Sequence, residues 1–219
     1  MLRRSLTILA LLCAAPALAE PRTGTLIERT RHEVTNDFAH STHRDPRRVA
    51  DRFARCLVEY DRPRTDRFVA LPFLSPEQND YFVQLGRASD ECFLAADSEL
   101  NLGILTIVGR IAEYDFERQY GSAQIGALIA ASASVEPRTG MEDLAFCLVR
   151  ANPAGAIRLI RTPIASRDEK EAFHAVAGDL GPCLPAGKSF RLNVSATRDA
   201  YATGLYLLAS RAKLDQAAR

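Results

Sequence analysis

Hydrophobic residues recur at spacings of three and four along most of the chain, and the strict alternation of a half-buried strand is scarce. Val49, Phe53, Cys56, Leu57 and Tyr60 draw one apolar helical stripe, and Met141, Leu144, Cys147 and Leu148 draw a counterpart further on. Pro46 and Pro137 are placed to be first helical residues, with Asp45 and Glu136 before them favouring the positive end of each helix. Asp61-Arg62-Pro63 and Asn152-Pro153 read as caps followed by first-turn prolines, so a short second helix follows and ends near Pro72 or Pro163. Ser75 with Gln78, and Ser166 with Glu169, have capping-box spacing, which starts a third helix. Its apolar face holds Phe82, Leu85 and Cys92 in one stretch and Phe173, Val176, Leu180 and Cys183 in the other. A fourth helix is expected at about 102–120 and again at about 195–214, with a small-residue connecting helix over 121–134. Ser189 to Val194 is the one piece whose pattern also suits an extended strand.

These paired elements are in register. Shifting the chain by 91 residues aligns Pro46–Cys92 with Pro137–Cys183 without a gap, and eleven of the 47 positions are identical. The identities include Cys56-Leu57-Val58 with Cys147-Leu148-Val149, both aligned prolines, both capping serines and both later cysteines. The expected fold is all-α, a tandem duplication of a roughly four-helix unit. The boundaries are 1–19 for a signal peptide, 20–44 for a polar lead-in, 45–120 and 136–214 for the two copies, 121–135 for the connection and 215–219 for a tail.

Within each copy 36 positions separate the two cysteines. Four cysteines allow three pairings, and only Cys56 with Cys92 plus Cys147 with Cys183 treats the copies alike. Each such closure would contribute roughly 4 kcal/mol in the chain-entropy picture. Zinc usually wants close cysteine pairs and thiol oxidoreductases want both cysteines within one helical turn, and neither spacing occurs here.

Disulfides suit the N-terminus, where Met1-Leu2-Arg3-Arg4 precedes an apolar stretch over Leu6–Ala15 that is shorter than the ~20 residues a spanning helix needs. Ala17-Leu18-Ala19 then offers the small residues a signal peptidase accepts, which predicts cleavage before Glu20 and a periplasmic or secreted address. Leu12 before Cys13 argues against lipidation there. No later segment is apolar over a membrane-spanning length. Losing Arg3 and Arg4 moves the formal charge from +1 to −1, a balance that points to no nucleic-acid partner.

The arginines are unevenly shared. The first copy has Arg44, Arg47, Arg48, Arg52, Arg55, Arg62, Arg64 and Arg67, whereas the second keeps only Arg138 and Arg158 at aligned places. Arg48, Arg52 and Arg55 fall at helical spacing, a candidate basic face for the carboxylates or phosphates of an envelope polymer or an acidic protein. Interleaved Asp45, Asp51, Glu59, Asp61 and Asp66 make a self-neutralised, solvated face the competing reading. Where the first copy has Arg55 the second has Phe146, so that surface has changed character, either packing on the other copy or making a separate apolar contact.

No nucleophile elbow, Ser-x-x-Lys pattern or cofactor-binding motif is present, and no catalytic, cofactor or metal residue is assigned. His32, His40 and His43 suit either a metal or, more simply, a solvated lead-in, and His174 has no evident partner. Asp97 with Glu99 and Glu113 with Asp115 are the carboxylates that would serve a hydrolase, although residues two apart on a helix do not face each other.

Cys147-Leu148-Val149-Arg150, Asn152-Pro153, Ser166, Cys183-Leu184-Pro185-Ala186-Gly187 and Arg198 through Leu205-Tyr206 resemble a group of uncharacterised exported proteins of sphingomonad-like alphaproteobacteria. The resemblance lies mainly in the second copy. In that group's pattern the last helix carries an arginine and, further on, a glutamate. Here the second copy keeps Arg198 but has Thr203 for the glutamate, and the first keeps Glu113 but has Val108 for the arginine, so neither copy holds both. The resemblance implies an exported address and a helical fold, with no activity. The expected function is a non-enzymatic binding or structural module, with a carboxylate-dependent envelope hydrolase and a metal-binding periplasmic protein as alternatives.

Overall fold

The structure is a computed structural model that describes residues 45–88, 92, 103–120, 122–184 and 193–217. The expected signal peptide, the lead-in with its three histidines, Asp97 with Glu99, and most of the 189–194 piece lie outside these residues. Among the described residues there are nine α-helices and no strand. They are α1 (Pro46–Tyr60), α2 (Arg62–Ala70), α3 (Pro76–Arg87), α4 (Ile104–Gln119), α5 (Ser122–Ala131), α6 (Gly140–Ala151), α7 (Pro153–Ile160), α8 (Arg167–Val176) and α9 (Val194–Ala217).

Side chains start most of these helices. Asp45 accepts the Arg47 N–H at 2.8 Å, Ser75 that of Gln78 at 3.1 Å, and Ser166 that of Glu169 at 3.0 Å. Asp61 and Asn152 cap α2 and α7 in the same way. Pro137 is not a first helical residue. Thr139 caps α6 instead, accepting the Glu142 N–H at 3.1 Å, so the helix begins at Gly140. The third helix of the second half is shorter than its apolar face suggests, because after Val176 the chain tightens into 3-10 turns at Ala177–Asp179 and Gly181–Cys183, where Gly178, Gly181 and Pro182 oppose a regular helix. At the other end α9 runs on to Ala217, past the expected stop at Leu214.

The connections before α3 and α8 share an uncommon backbone. Leu74 and Ala165 have φ of 54° and 58°, in the left-handed region that costs a non-glycine residue on the order of 1 kcal/mol. In each case a side chain one turn ahead holds the exposed N–H: Gln78 Oε1 takes that of Leu74 at 2.8 Å, and Glu169 Oε2 takes that of Ala165 at 2.9 Å.

Disulfides join Cys56 of α1 to Cys92, and Cys147 of α6 to Cys183, one in each half, with Cα atoms 5.6 Å apart in both. One continuous core runs through both halves, from Phe53, Leu57, Phe68 and Phe82 through Ile107, Ile111 and Phe116 to Leu148, Leu159, Leu205 and Leu208. Its centre is the packing of α4 on α9, flanked by α1 on α4 and α6 on α9.

That central contact is close because of one glycine. A Cβ added at Gly109 of α4 would lie 2.6 Å from the Asp199 Cα of α9, so no side chain fits there. Gly109→Ala is therefore expected to cost about 1–3 kcal/mol or more through overpacking. Gly126→Ala in α5, where a Cβ meets nothing within 4 Å, is expected to gain up to ~1 kcal/mol from helix propensity. Denaturant unfolding of the three proteins at neutral pH measures both, and equal stability of the Gly109 variant and the parent would contradict the close crossing.

Candidate functional site

Two charged regions are built on this frame, one on the surface of α1 and one inside the bundle. On α1 the residues expected to form a basic face are only partly together. Arg52 and Arg55 line a shallow depression of about 440 Å³ with Cys56, Glu59 and Tyr60, while Arg48 stands exposed one turn earlier. Tyr60 is 52% exposed, one of two large hydrophobic side chains that the described surface leaves open. Arg55 is held in place from two sides: its Nε donates to Asp51 Oδ2 at 3.1 Å, and its guanidinium lies 5.2 Å from the centre of the Tyr114 ring. Arg118 approaches the same ring at 5.4 Å, and the Tyr114 hydroxyl donates to Glu59 Oε1 at 2.9 Å. Other arginines of this half also have local partners, Arg64 with Asp61 at 3.1 Å and Arg62 with Asp66 at 3.7 Å, and Arg67 lies over the Tyr81 ring.

Arg47 leaves the surface series altogether. It reaches from α1 into the other half and grips Glu169 of α8 with both terminal nitrogens, Nη1 to Oε2 at 2.8 Å. Glu169 also accepts from Arg198 Nη1 of α9 at 2.9 Å. Arg198 gives its other edge to Glu113 of α4, Nε to Oε2 at 2.9 Å and Nη2 to Oε1 at 2.6 Å, and bonds the Ile160 carbonyl at 2.6 Å and Thr162 Oγ1 at 3.2 Å. Glu113 lies 3.1 Å from Arg110 Nη1, and Arg110 in turn holds Asp199, Nε to Oδ1 at 3.0 Å with Nη2 on the same oxygen. Three guanidinium groups and three carboxylates thus close a neutral chain across α1, α4, α8 and α9. Most of it is sealed from water, with Arg110, Arg198, Glu169 and Asp199 each no more than 1% exposed.

The titration of these groups follows from that arrangement. Burial alone would raise Glu169, but the Arg47 hydrogen bond and the charges of Arg47 and Arg198 outweigh it and hold the carboxyl below its ordinary range. Burial pushes Asp199 up to about 6, and Arg110 opposes the rise. Both carboxylates are therefore ionised at neutral pH and committed to arginine.

A second cross-half clamp lies at the start of α6. Glu142, fully buried, accepts the backbone N–H of Phe73 at 3.1 Å and that of Arg138 at 2.7 Å, together with the Arg138 and Arg211 guanidinium groups. Arg138 continues to the carbonyls of Ala70 and Leu71 at the end of α2, at 3.0 and 3.2 Å. Arg47 and Arg138, which the 91-residue shift aligns, thus each reach into the opposite half. Phe146 is buried beneath the guanidinium groups of Arg150 and Arg211, so the change from Arg55 turned an exposed position into a core one.

Glu113 and Asp115 face different ways, as their spacing requires. Asp115 is fully buried, and neither of its oxygens has a hydrogen-bond donor. Its neighbour is Asp66 of α2. Among the described residues no group of three or more His, Cys, Asp or Glu side chains is placed to hold a metal ion, and no helix is long and apolar enough to cross a membrane. His174 is exposed and touches the Phe173 ring.

Sequence reasoning missed the interior chain as a network. Its one signal is that Arg110, Glu113 and the Arg198-Asp199 pair stand beside the most apolar stretches of α4 and α9. Removing one member of a buried pair leaves a charge without its partner, so Arg198→Ala is expected to cost about 3–5 kcal/mol. A double-mutant cycle with Glu113→Ala is expected to show a coupling of about 1–3 kcal/mol by denaturant unfolding, and additive losses would mean that the pair does not couple α4 to α9. No family model, curated protein or solved structure matches the chain.

Proposed function

We propose that the mature chain is an exported, tandemly duplicated helical module that binds an anionic envelope polymer through the outward face of α1. The observation that carries this reading is the open depression between Arg52, Arg55, Glu59 and Tyr60, with Arg48 exposed beside it. It offers planar guanidinium groups for carboxylates or phosphates and a half-exposed ring for stacking, on a shallow surface that suits a chain laid across it. The disulfides and the buried ion pairs support a rigid platform, and the disulfides are consistent with the oxidising compartment that the N-terminal signal points to.

The matched starts and caps of α2 with α7 and of α3 with α8, and the left-handed residues before α3 and α8, support the duplication. A carboxylate-dependent hydrolase needs an ionised carboxylate facing its substrate. Glu113, Glu142, Glu169 and Asp199 are each held by arginine, and Asp115 is shut off from water, which favours the binding reading. Metal capture rests on the three N-terminal histidines alone.

Co-sedimentation of the purified mature protein with cell-wall polymer tests the proposal. Binding is expected to fall at least tenfold on raising the salt from low to physiological strength, since screening weakens exposed charge contacts. The triple change Arg48→Ala, Arg52→Ala and Arg55→Ala is expected to abolish it while thermal unfolding stays within a few degrees. Undiminished binding by a folded triple variant, or none at low salt, would overturn it. Capture of an acidic protein in place of polymer would redirect the partner and keep the surface.

A further inference from the structure

The buried carboxyl group of Asp115 plays no part in the ion-pair chain or the α1 surface, and its surroundings are unusual. Both oxygens are enclosed without a donor, and Oδ1 of Asp66, across the α2–α4 contact, is likewise buried without one. Across that contact Asp66 is the charged group that acts most strongly on Asp115, through its charge and by hydrogen bonding. Ionised carboxylates only accept hydrogen bonds, so two of them join only when one carries a proton. We propose that Asp66 and Asp115 share a proton and form a pH-responsive latch between α2 and α4.

The groups facing the pair are few. From α2, Arg62 lies 3.7 Å from the outer oxygen of Asp66, and both side chains are partly exposed. From α4 comes Arg118, with Tyr120 just past its end, and from α9 comes Tyr206. Neither tyrosine is ionised near neutral pH, because burial pushes both phenols up, and neither hydroxyl donates to Asp115. Burial, then the charge and hydrogen bond of Asp66, lift Asp115 to about 6, with Arg62 and Arg118 opposing.

The direction of the effect follows. The folded protein holds this proton more tightly than the unfolded chain, so the pair's contribution to stability is whole below the ordinary aspartate range and is lost as pH rises through about 6. Above that value two negative charges face each other across the seam. The latch is closed in mild acid and loosened at neutral pH. Tyr114 and Arg118, which belong to the α1 surface, share α4 with Asp115, so loosening would be felt close to the depression.

Carboxyl-carbon NMR of the selectively labelled mature protein, with hydrogen exchange of the α2 and α4 peptides corrected for intrinsic rates, tests this without relying on the binding reading. The Asp115 signal, identified by its loss in Asp115→Asn, is expected to titrate near pH 6. Protection of α2 and α4 is expected to fall several-fold between pH 5 and 7.5 in the parent and markedly less in that variant, whose amide mimics the protonated acid and leaves Asp199 as the buried carboxyl that still titrates near 6. Asp66→Asn supplies a permanent donor to Asp115 and should move the Asp115 midpoint down by a unit or more. This change alters a half-exposed side chain, so it keeps the test open if the Asp115 variant does not fold. An Asp115 midpoint near 4 in the parent, no response to Asp66→Asn, or a midpoint that collapses on adding millimolar calcium would each overturn the shared proton.

Discussion

The buried contact between Arg198 and Glu113 is the constraint on which the rest of the fold depends. An arginine taken out of water without a partner costs several kcal/mol, so α4 and α9 are held at the separation and rotation at which the two edges meet. Gly109 makes this geometry accessible by letting the backbone of α9 come within contact distance of α4. Arg110 uses the same approach to reach Asp199 from the other direction. Once these helices are fixed, Arg198 has donors left over, and they reach Glu169, Thr162 and the Ile160 carbonyl, which ties the α7–α8 connection to the crossing. The left-handed backbone at Ala165 belongs to the same demand, because Glu169 serves that residue's N–H and both arginines at once.

Charge is therefore used in two ways. In the interior chain from Arg47 to Asp199, guanidinium groups and carboxylates are matched one for one and specify a single arrangement of the halves more than they add to stability. Outside, the arginines of the first half are mostly answered by aspartates within a turn and by tyrosines of neighbouring helices, pairs worth little individually. The difference lies in reach: Arg47 points across the bundle and becomes interior, whereas Arg48, the next residue, remains in water.

Much of the local architecture was legible in the sequence, because its causes are local. Cap residues, first-turn prolines and apolar spacing act within one turn, and the disulfides followed from treating two similar halves alike. The misses came where a neighbour decided the outcome. Thr139 displaced Pro137 as the start of α6, and glycines with Pro182 cut α8 short. Arg47 read as one of a surface series because nothing in its own helix distinguishes it from Arg48; its partner is 122 residues away. Asp115 was weighed against Glu113, two residues off, when the group that matters is Asp66 on another helix.

The same logic accounts for the uneven charges of α4 and α9. The two helices begin at Ile104 and Val194, so Val108 stands where Arg198 does, and Thr203 stands where Glu113 does. Two equivalent halves crossing here would form two identical Arg–Glu pairs. This chain has one, with its arginine from the second half and its glutamate from the first, while Val108 and Thr203 are both buried and uncharged. A single charge at either of these two places would be stranded inside the core, whereas two uncharged side chains that pack cost nothing of the kind. The Thr203 hydroxyl is satisfied by the Asp199 carbonyl at 2.8 Å, so the exchanged site leaves no polar group wanting. The Arg198–Glu113 pair at the crossing thus takes one member from each half, while Arg110 with Glu113 and Arg198 with Glu169 pair within the halves.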